Sequence, residues 1–160
     1  MFYINIEHFL CNMTRINCSI PVSSLTDELL LAEHREIKRL PIVTLKAINS
    51  GSIYKAPTEF CLGTGHVLFF CNYGKYTLNR YIKLYNECIY RGFDVEDYRT
   101  NWNCIPAEFM NDLEENDDIK EIISLRIKDR IKNSKKSYFR YKGTRISKET
   151  AYLYLDNESC

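Results

Sequence analysis

Glycine, proline and tryptophan are scarce in this chain of 160 residues, which contains six Gly, four Pro and one Trp. So little glycine and proline excludes collagen-like chains and flexible linkers. No run of about 18 apolar residues occurs, which excludes a membrane-spanning helix, and no segment repeats at a fixed period, which excludes a solenoid. Hydrophobic residues make up 45% and charged residues 27%. These values predict a single compact globular domain with its own core.

Paired cysteines are also lacking. The seven cysteines are odd in number and widely spread, without a Cys-x-x-Cys pair or a matching histidine spacing. The sequence therefore implies no zinc site. The first twelve residues have no basic region and are too short and too polar for a secretory signal. We expect reduced thiols and an intracellular protein.

The net charge of +1 hides a strong segregation of charge. Residues 119–148 contain eleven Lys or Arg against two Asp or Glu, a local charge of +9. Residues 108–118, just before them, contain six carboxylates and no base. A basic segment on an otherwise acidic chain favours a polyanionic partner, with nucleic acid first. A solvated basic helix is the simpler alternative.

Hydrophobic periodicity predicts three main helices, over residues 25–49, 74–91 and 114–133. Ser24 and Asp27 resemble a capping box at the start of the first helix, and Pro41 should kink or break that helix. Gly92 is a stop signal for the second. The predicted apolar stripes are Leu25, Leu29, Ala32, Ile37 and Leu40; Leu78, Ile82, Tyr85 and Ile89; and Ile119, Ile122, Ile123, Ile127 and Ile131.

The segments between these helices predict irregular structure. Residues 51–71 read as a connector with glycine, proline and serine, and residues 93–112 as an irregular segment. No convincing alternating strand is present. The predicted fold class is therefore all-α, a single compact domain of three main helices with long irregular loops.

Two segments carry candidate chemistry. Residues 138–142, Tyr-Phe-Arg-Tyr-Lys, interleave rings with bases, as surfaces that bind nucleic acids do. The same segment would equally suit a C-terminal strap whose rings cap the core. Residues 33–39 place Glu33 and Glu36 among several bases on the more polar faces of the first helix. A surface lattice of ion pairs is the commoner arrangement of this kind, and one catalytic carboxylate in a phosphate-binding wall is the alternative.

Five segments resemble, in order and with compatible spacing, the pyrimidine dimer DNA glycosylases of the phage endonuclease V type. They are Thr14-Arg15-Ile16-Asn17; Ala32-Glu33-His34-Arg35-Glu36; Pro57-Thr58 with Leu62-Gly63-Thr64-Gly65-His66-Val67 and Phe69-Phe70; Glu87-Cys88 with Arg91-Gly92-Phe93; and Ile105-Pro106-Ala107-Glu108-Phe109. The resemblance spans roughly residues 13–143. The all-α fold that it implies agrees with the helix pattern.

The resemblance implies a DNA repair glycosylase with AP-lyase activity that excises UV-induced cyclobutane pyrimidine dimers. In this family the free α-amino group of an N-terminal Thr attacks the anomeric carbon of the 5′ sugar, a Schiff base forms, and β-elimination cuts the strand. Thr14 would supply the amine and Glu36 the catalytic carboxylate. An α-amine has a reference pKa of about 7.7–8.0, so roughly a tenth of it is neutral and nucleophilic at pH 7.

The resemblance also implies the contacts with DNA. Arg15, Arg35 and Arg39 would hold phosphates around the lesion, and Arg126 and Arg130 would contact the backbone. The segment linked to lesion recognition comprises Tyr138, Phe139, Arg140, Tyr141 and Lys142, with Tyr138 where the family usually has Trp. We expect a monomer that binds double-stranded DNA containing cyclobutane pyrimidine dimers, without a membrane partner, metal or organic cofactor. A dimer already weakens pairing, so extruding a base costs least there.

Twelve residues precede Met13, and they set a condition on this chemistry. While Thr14 is internal its nitrogen is an amide, which cannot form a Schiff base. We expect residues 1–12 to be an extension absent from the working enzyme, residues 13–145 the glycosylase domain and residues 146–160 a C-terminal tail. Two other functions stay open. One is a catalytically inactive DNA-binding protein of the same fold, and the other is an all-α interaction protein whose basic C-terminal segment binds an acidic partner.

Overall fold

A computed structural model describes residues 16–157 of the chain. Within this range the chain forms six α-helices and one antiparallel two-stranded sheet, joined by short 3-10 turns. The elements in chain order are α1 Asp27–Ile37, α2 Leu40–Asn49, α3 His66–Phe70, α4 Gly74–Tyr90, α5 Asp117–Asn133, β1 Phe139–Tyr141, β2 Thr144–Ile146 and α6 Lys148–Asp156. None of the helices between residues 16 and 157 has the length and hydropathy needed to cross a bilayer. The mostly helical class is confirmed, and the count of three main helices is too low.

The first predicted helix is two helices, as Pro41 suggested. Proline has no N–H to donate to the carbonyl of Ile37, and its ring would clash with that carbonyl. Helix α1 therefore ends at Ile37, and Pro41 lies in the first turn of α2, where the missing N–H would have no helical partner in any case. The predicted capping box is wrong, because the Leu29 N–H is accepted by Thr26 Oγ1 at 3.4 Å.

The chain divides into two compact units. The first contains Arg35–Ile82 and Asp97–Leu113. Its core is largely aromatic, with edge-to-face contacts among Phe60, Phe69 and Phe70. Trp102 is 1% exposed and its Nε1 donates to Thr77 Oγ1 at 3.0 Å. These contacts fix the irregular segment that the sequence predicts after residue 93.

The second unit contains Asn17–His34 and Lys83–Glu96 together with residues 114–157. Asn116 caps α5 by accepting the Ile119 N–H at 2.9 Å, and α5 packs against α6. The predicted stripe of α5 is confirmed at Ile119, Ile123, Ile127 and Ile131, all buried. Ile122 is an exception, at 40% exposure, because it lies on the neighbouring face of the helix.

Helix α4 is confirmed, but its predicted buried face is wrong. Ile89 is 48% exposed, whereas Tyr81, Leu84 and Cys88 are fully buried. The sequence of α4 contains two lines of apolar side chains at helical spacing, one residue apart. Periodicity alone does not show which of the two lines is buried. Gly92 ends the helix with a positive φ of 83°, as its position predicts.

The hairpin of β1 and β2 overturns the prediction that no strand is present. Phe139 pairs with Ile146, Arg140 with Arg145 and Tyr141 with Thr144. The two turn residues, Lys142 and Gly143, both have positive φ, as a type I′ hairpin turn requires. Three-residue strands are too short for alternation to be visible in the sequence. The predicted boundary after residue 145 falls inside β2, and most of the predicted tail is helix α6.

Candidate functional site

Glu36 lies on the last turn of α1, in the first unit, between two exposed arginines. Its side chain is 17% exposed, and its Oε2 lies 3.7 Å from Arg39 Nη1. This oxygen is shielded from solvent and accepts no hydrogen bond within residues 16–157. Arg35 is exposed, and the Arg39 N–H donates to the Glu36 carbonyl at 3.1 Å, which holds the two residues in one turn.

This arrangement suits proton transfer beside a polyanion. A carboxylate oxygen that accepts no hydrogen bond keeps its lone pairs for a substrate proton or for a developing positive charge. Exposed guanidinium groups on either side can hold phosphates. Thr14 and Arg15, the other residues predicted for this chemistry, lie outside the described residues.

Glu33 forms a buried network in the second unit, contrary to its predicted place on a polar face. Its side chain is fully buried. Glu33 Oε1 accepts the Asn17 N–H and Oε2 accepts the Asn17 Nδ2–H, both at 3.0 Å. Asn17 Oδ1 in turn accepts a hydrogen bond from Arg126 Nη2 at 3.2 Å. Glu33 thus holds a residue that follows Thr14 by three positions.

Arg126 and Arg130 lie one turn apart on α5, and both side chains are half-buried. Burial, followed by the neighbouring positive charge of Arg130, lowers the pKa of Arg126 to about 10. Arg126 remains positively charged at neutral pH. Burial and the nearby charge of Arg130 make this charged form less favourable than it would be in water. An anion at this face would relieve that cost.

The hairpin is held by carboxylates at the beginning of α1. Asp27 accepts the N–H groups of Lys142 and Gly143 at 3.0 and 2.9 Å. Glu28 accepts the Arg140 N–H through both oxygens, at 3.2 and 3.1 Å. These bonds satisfy one backbone donor of β1 and two of the turn, and they fix the position of the hairpin on the second unit.

Arg91 connects the hairpin to the same helix start. Its guanidinium is fully buried and pairs with Asp27 at 2.9 Å and Glu87 at 2.8 Å. It also lies 4.8 Å from the ring centroid of Tyr141, whose hydroxyl donates to the Ser23 carbonyl at 2.9 Å.

The residues of the aromatic and basic segment differ in exposure. Arg140 and Lys142 are exposed, and Tyr138 and Tyr141 are half-buried. Phe139 is 5% exposed and lies in the core. One ring of the segment therefore caps the core, while its basic side chains face solvent.

The family model for pyrimidine dimer DNA glycosylase matches residues 13–105. The match covers more than half of the chain. The chain belongs to the pyrimidine dimer DNA glycosylase family. This confirms the family that the five segments suggest, and membership implies that DNA containing pyrimidine dimers is its partner.

The glycosylase family match contains some of the predicted site residues and not others. It includes Thr14, Arg15, Arg35, Glu36 and Arg39, and it ends before α5 and the hairpin. The roles of Arg126, Arg130 and residues 138–142 therefore rest on the resemblance and on their place in the structure.

Three structural features of this glycosylase family member could not be predicted from the sequence. They are the Glu33–Asn17 bonds, the anchoring of the hairpin by Asp27 and Glu28, and the position of Arg145 opposite Arg140. In the first two features the partners lie 16 to 116 residues apart in the chain, so no local pattern reveals them. Arg140 and Arg145 are close in the chain, but their pairing depends on the register of two three-residue strands. The Glu87–Arg91 pair does carry a sequence signal, the i,i+4 spacing of opposite charges.

Proposed function

We propose that this protein is a pyrimidine dimer DNA glycosylase and AP lyase that uses the α-amino group of Thr14 as nucleophile and Glu36 as the catalytic carboxylate. The observation that carries the proposal is the Glu36 side chain. One of its oxygens is shielded, accepts no hydrogen bond within the described range and lies 3.7 Å from Arg39. A purely structural ion pair would be expected to satisfy that oxygen with a donor.

The chemistry divides into release of the base and cleavage of the strand. The neutral amine attacks C1′ of the 5′ nucleotide of the dimer, and the pyrimidine leaves with the electron pair of the broken glycosidic bond. The C1′–O4′ bond then breaks as the sugar ring opens, O4′ takes up a proton, and loss of a proton from the amine nitrogen gives the imine. Removal of a C2′ proton then breaks the C3′–O bond and cuts the strand on the 3′ side. Glu36 stabilises the positive charge that develops on the sugar and accepts protons in these steps.

The nucleophile requires a free amine at Thr14, so the active form begins at Thr14 after removal of Met13. The family match, which starts at residue 13, supports this start. An α-amine suits the reaction because it is partly neutral at pH 7 without burial. A lysine would need desolvation to reach the same state.

Cations of several elements, in both units, contact the DNA. Arg35 and Arg39 hold phosphates near Glu36, and Arg130 of α5 contacts the backbone. Arg126 contributes positive charge from its half-buried place. In the hairpin, Tyr138, Arg140, Tyr141 and Lys142 contact DNA near the lesion, whereas Phe139 supports them from the core.

Cleavage of a duplex containing one cyclobutane thymine dimer tests the role of Glu36. Glu36→Gln should lower the rate by at least about 100-fold, because general acid–base groups contribute roughly 10²–10⁴, while binding of the duplex persists. Glu59→Gln removes the same charge from an exposed carboxylate of the same unit and should cleave at the parental rate. Full activity of Glu36→Gln would remove Glu36 from the mechanism.

A further inference from the structure

Two arginines face each other across the hairpin. Arg140 of β1 pairs directly with Arg145 of β2. The Arg140 N–H bonds to Glu28 and not to β2, so this is a non-hydrogen-bonded pair. In such pairs the Cα atoms are only about 4.5 Å apart and the side chains are closest. Both side chains are exposed.

Both guanidinium groups lie against one ring. The Arg145 guanidinium carbon is 4.5 Å from the centroid of the Tyr138 ring, and that of Arg140 is 5.6 Å away. Contact with a ring face holds a guanidinium by cation–π attraction and leaves its N–H edge free. The hairpin backbone is itself fixed by Asp27 and Glu28, so the two edges have a defined position.

Nothing within the hairpin compensates the two charges. Neither guanidinium has a carboxylate oxygen within 4 Å in the part of the chain that the structure describes. Glu28 accepts the backbone N–H of Arg140 through both oxygens, and its Oε1 lies 3.9 Å from Lys136 Nζ. Like charges directly opposite in a sheet are destabilising, so the fold alone gives no reason for a second arginine.

We infer that Arg145 and Arg140 form a fork, held by the Tyr138 ring, that binds one phosphate of the DNA backbone. An oxyanion between two guanidinium groups removes their repulsion, and the planar N–H edges match phosphate oxygens. The inference rests on the proposed function, because it assumes DNA as the partner. It adds Arg145, which lies beyond the residues that the family model matches. A backbone contact is independent of the lesion, so damaged and undamaged duplex both engage the fork.

The test is duplex binding by the full chain, measured by fluorescence anisotropy at several salt concentrations with an undamaged duplex as the probe. Arg145→Glu should weaken binding at least about ten-fold at 0.1 M salt and lower the log–log salt slope by about one, the value for one lost phosphate. The same variant should raise the melting temperature, because Glu at position 145 pairs with Arg140. Arg145→Lys keeps the charge but not the planar N–H edge, so its affinity should lie between those of the parent and of Arg145→Glu.

The control is Arg99→Glu, which makes the same charge change at an arginine that is 46% exposed in the other unit and should bind within two-fold of the parent. Binding by Arg145→Glu equal to that of Arg99→Glu would overturn the fork. So would a loss of affinity accompanied by a lower melting temperature, which would indicate a structural role. If the parental chain neither binds duplex in a salt-dependent way nor cleaves a dimer, the proposed function itself fails. Parental binding and cleavage with unaffected Arg145 variants would remove only the fork.

Discussion

Replacement of Arg91 by methionine should destabilise the protein by about 3–5 kcal/mol, the usual cost of removing one partner of a buried ion pair. The Arg91 side chain is fully buried, whereas its two carboxylate partners are 7% and 14% exposed. Methionine keeps most of the aliphatic length but leaves both carboxylates without their shared cation.

The hydrogen bonds of Arg91 give a second estimate of this loss in unfolding free energy. Arg91 donates five hydrogen bonds, to carboxylates and carbonyls between 2.7 and 3.4 Å away, whose acceptors are Glu87, Asp27, Leu25, Val22 and Ser23. At about 1 kcal/mol net for each, their loss amounts to about 5 kcal/mol. For a chain of this length, 3–5 kcal/mol corresponds to a fall in melting temperature of roughly 6–20 °C.

Urea unfolding, monitored by circular dichroism, measures this loss of unfolding free energy directly. The matched control is Arg99→Met, which breaks an ion pair whose partners are 46% and 36% exposed. Because exposed pairs are screened by solvent, this control should lose no more than about 1 kcal/mol. A loss below about 1 kcal/mol for Arg91→Met as well would refute the argument that the buried ion pairs of Arg91 stabilise the protein.

Three further predictions concern burial and backbone conformation. Glu33→Gln should cost about 1–3 kcal/mol in urea unfolding, because one oxygen that accepts a hydrogen bond is replaced by a donor; a loss below about 0.5 kcal/mol would contradict the network. Cys104, which is exposed, should react with a thiol reagent at pH 8 in peptide mapping. Cys71 and Cys88 should not, because burial raises the pKa of both thiols to about 11; equal labelling of all three would contradict this. Lys142→Asn should stabilise the protein by about 0.5–1 kcal/mol, because Asn tolerates the positive φ of this turn position better; a lower melting temperature would count against the turn assignment.

Long periodic segments allowed correct predictions from the sequence. The buried isoleucines of α5 recur at helical spacing, and α5 begins and ends close to the predicted residues. Pro41 predicts the break between α1 and α2 because the steric rule for proline is local. The site role of the Arg35–Glu36 pair comes from the resemblance to the family, and it stays a prediction.

Features that depend on distant partners could not be predicted. Glu33 looks like a polar surface residue until Asn17 is folded against it. Strands of three residues leave no alternation to detect, so the hairpin depends on contacts with Asp27 and Glu28 at the start of α1. The position of Arg145 opposite Arg140 follows from the register of the hairpin, which the sequence does not reveal.

The measurement that tests the central proposal most directly is borohydride trapping of the Schiff base. A chain that begins at Thr14 and a chain that begins at Met1 are each incubated with a duplex containing one cyclobutane thymine dimer, and mass spectrometry locates the reduced adduct. The account predicts a covalent protein–DNA adduct on the α-nitrogen of Thr14 in the first chain and no adduct in the second. An adduct on a lysine, or equal trapping with residues 1–13 still attached, would contradict it.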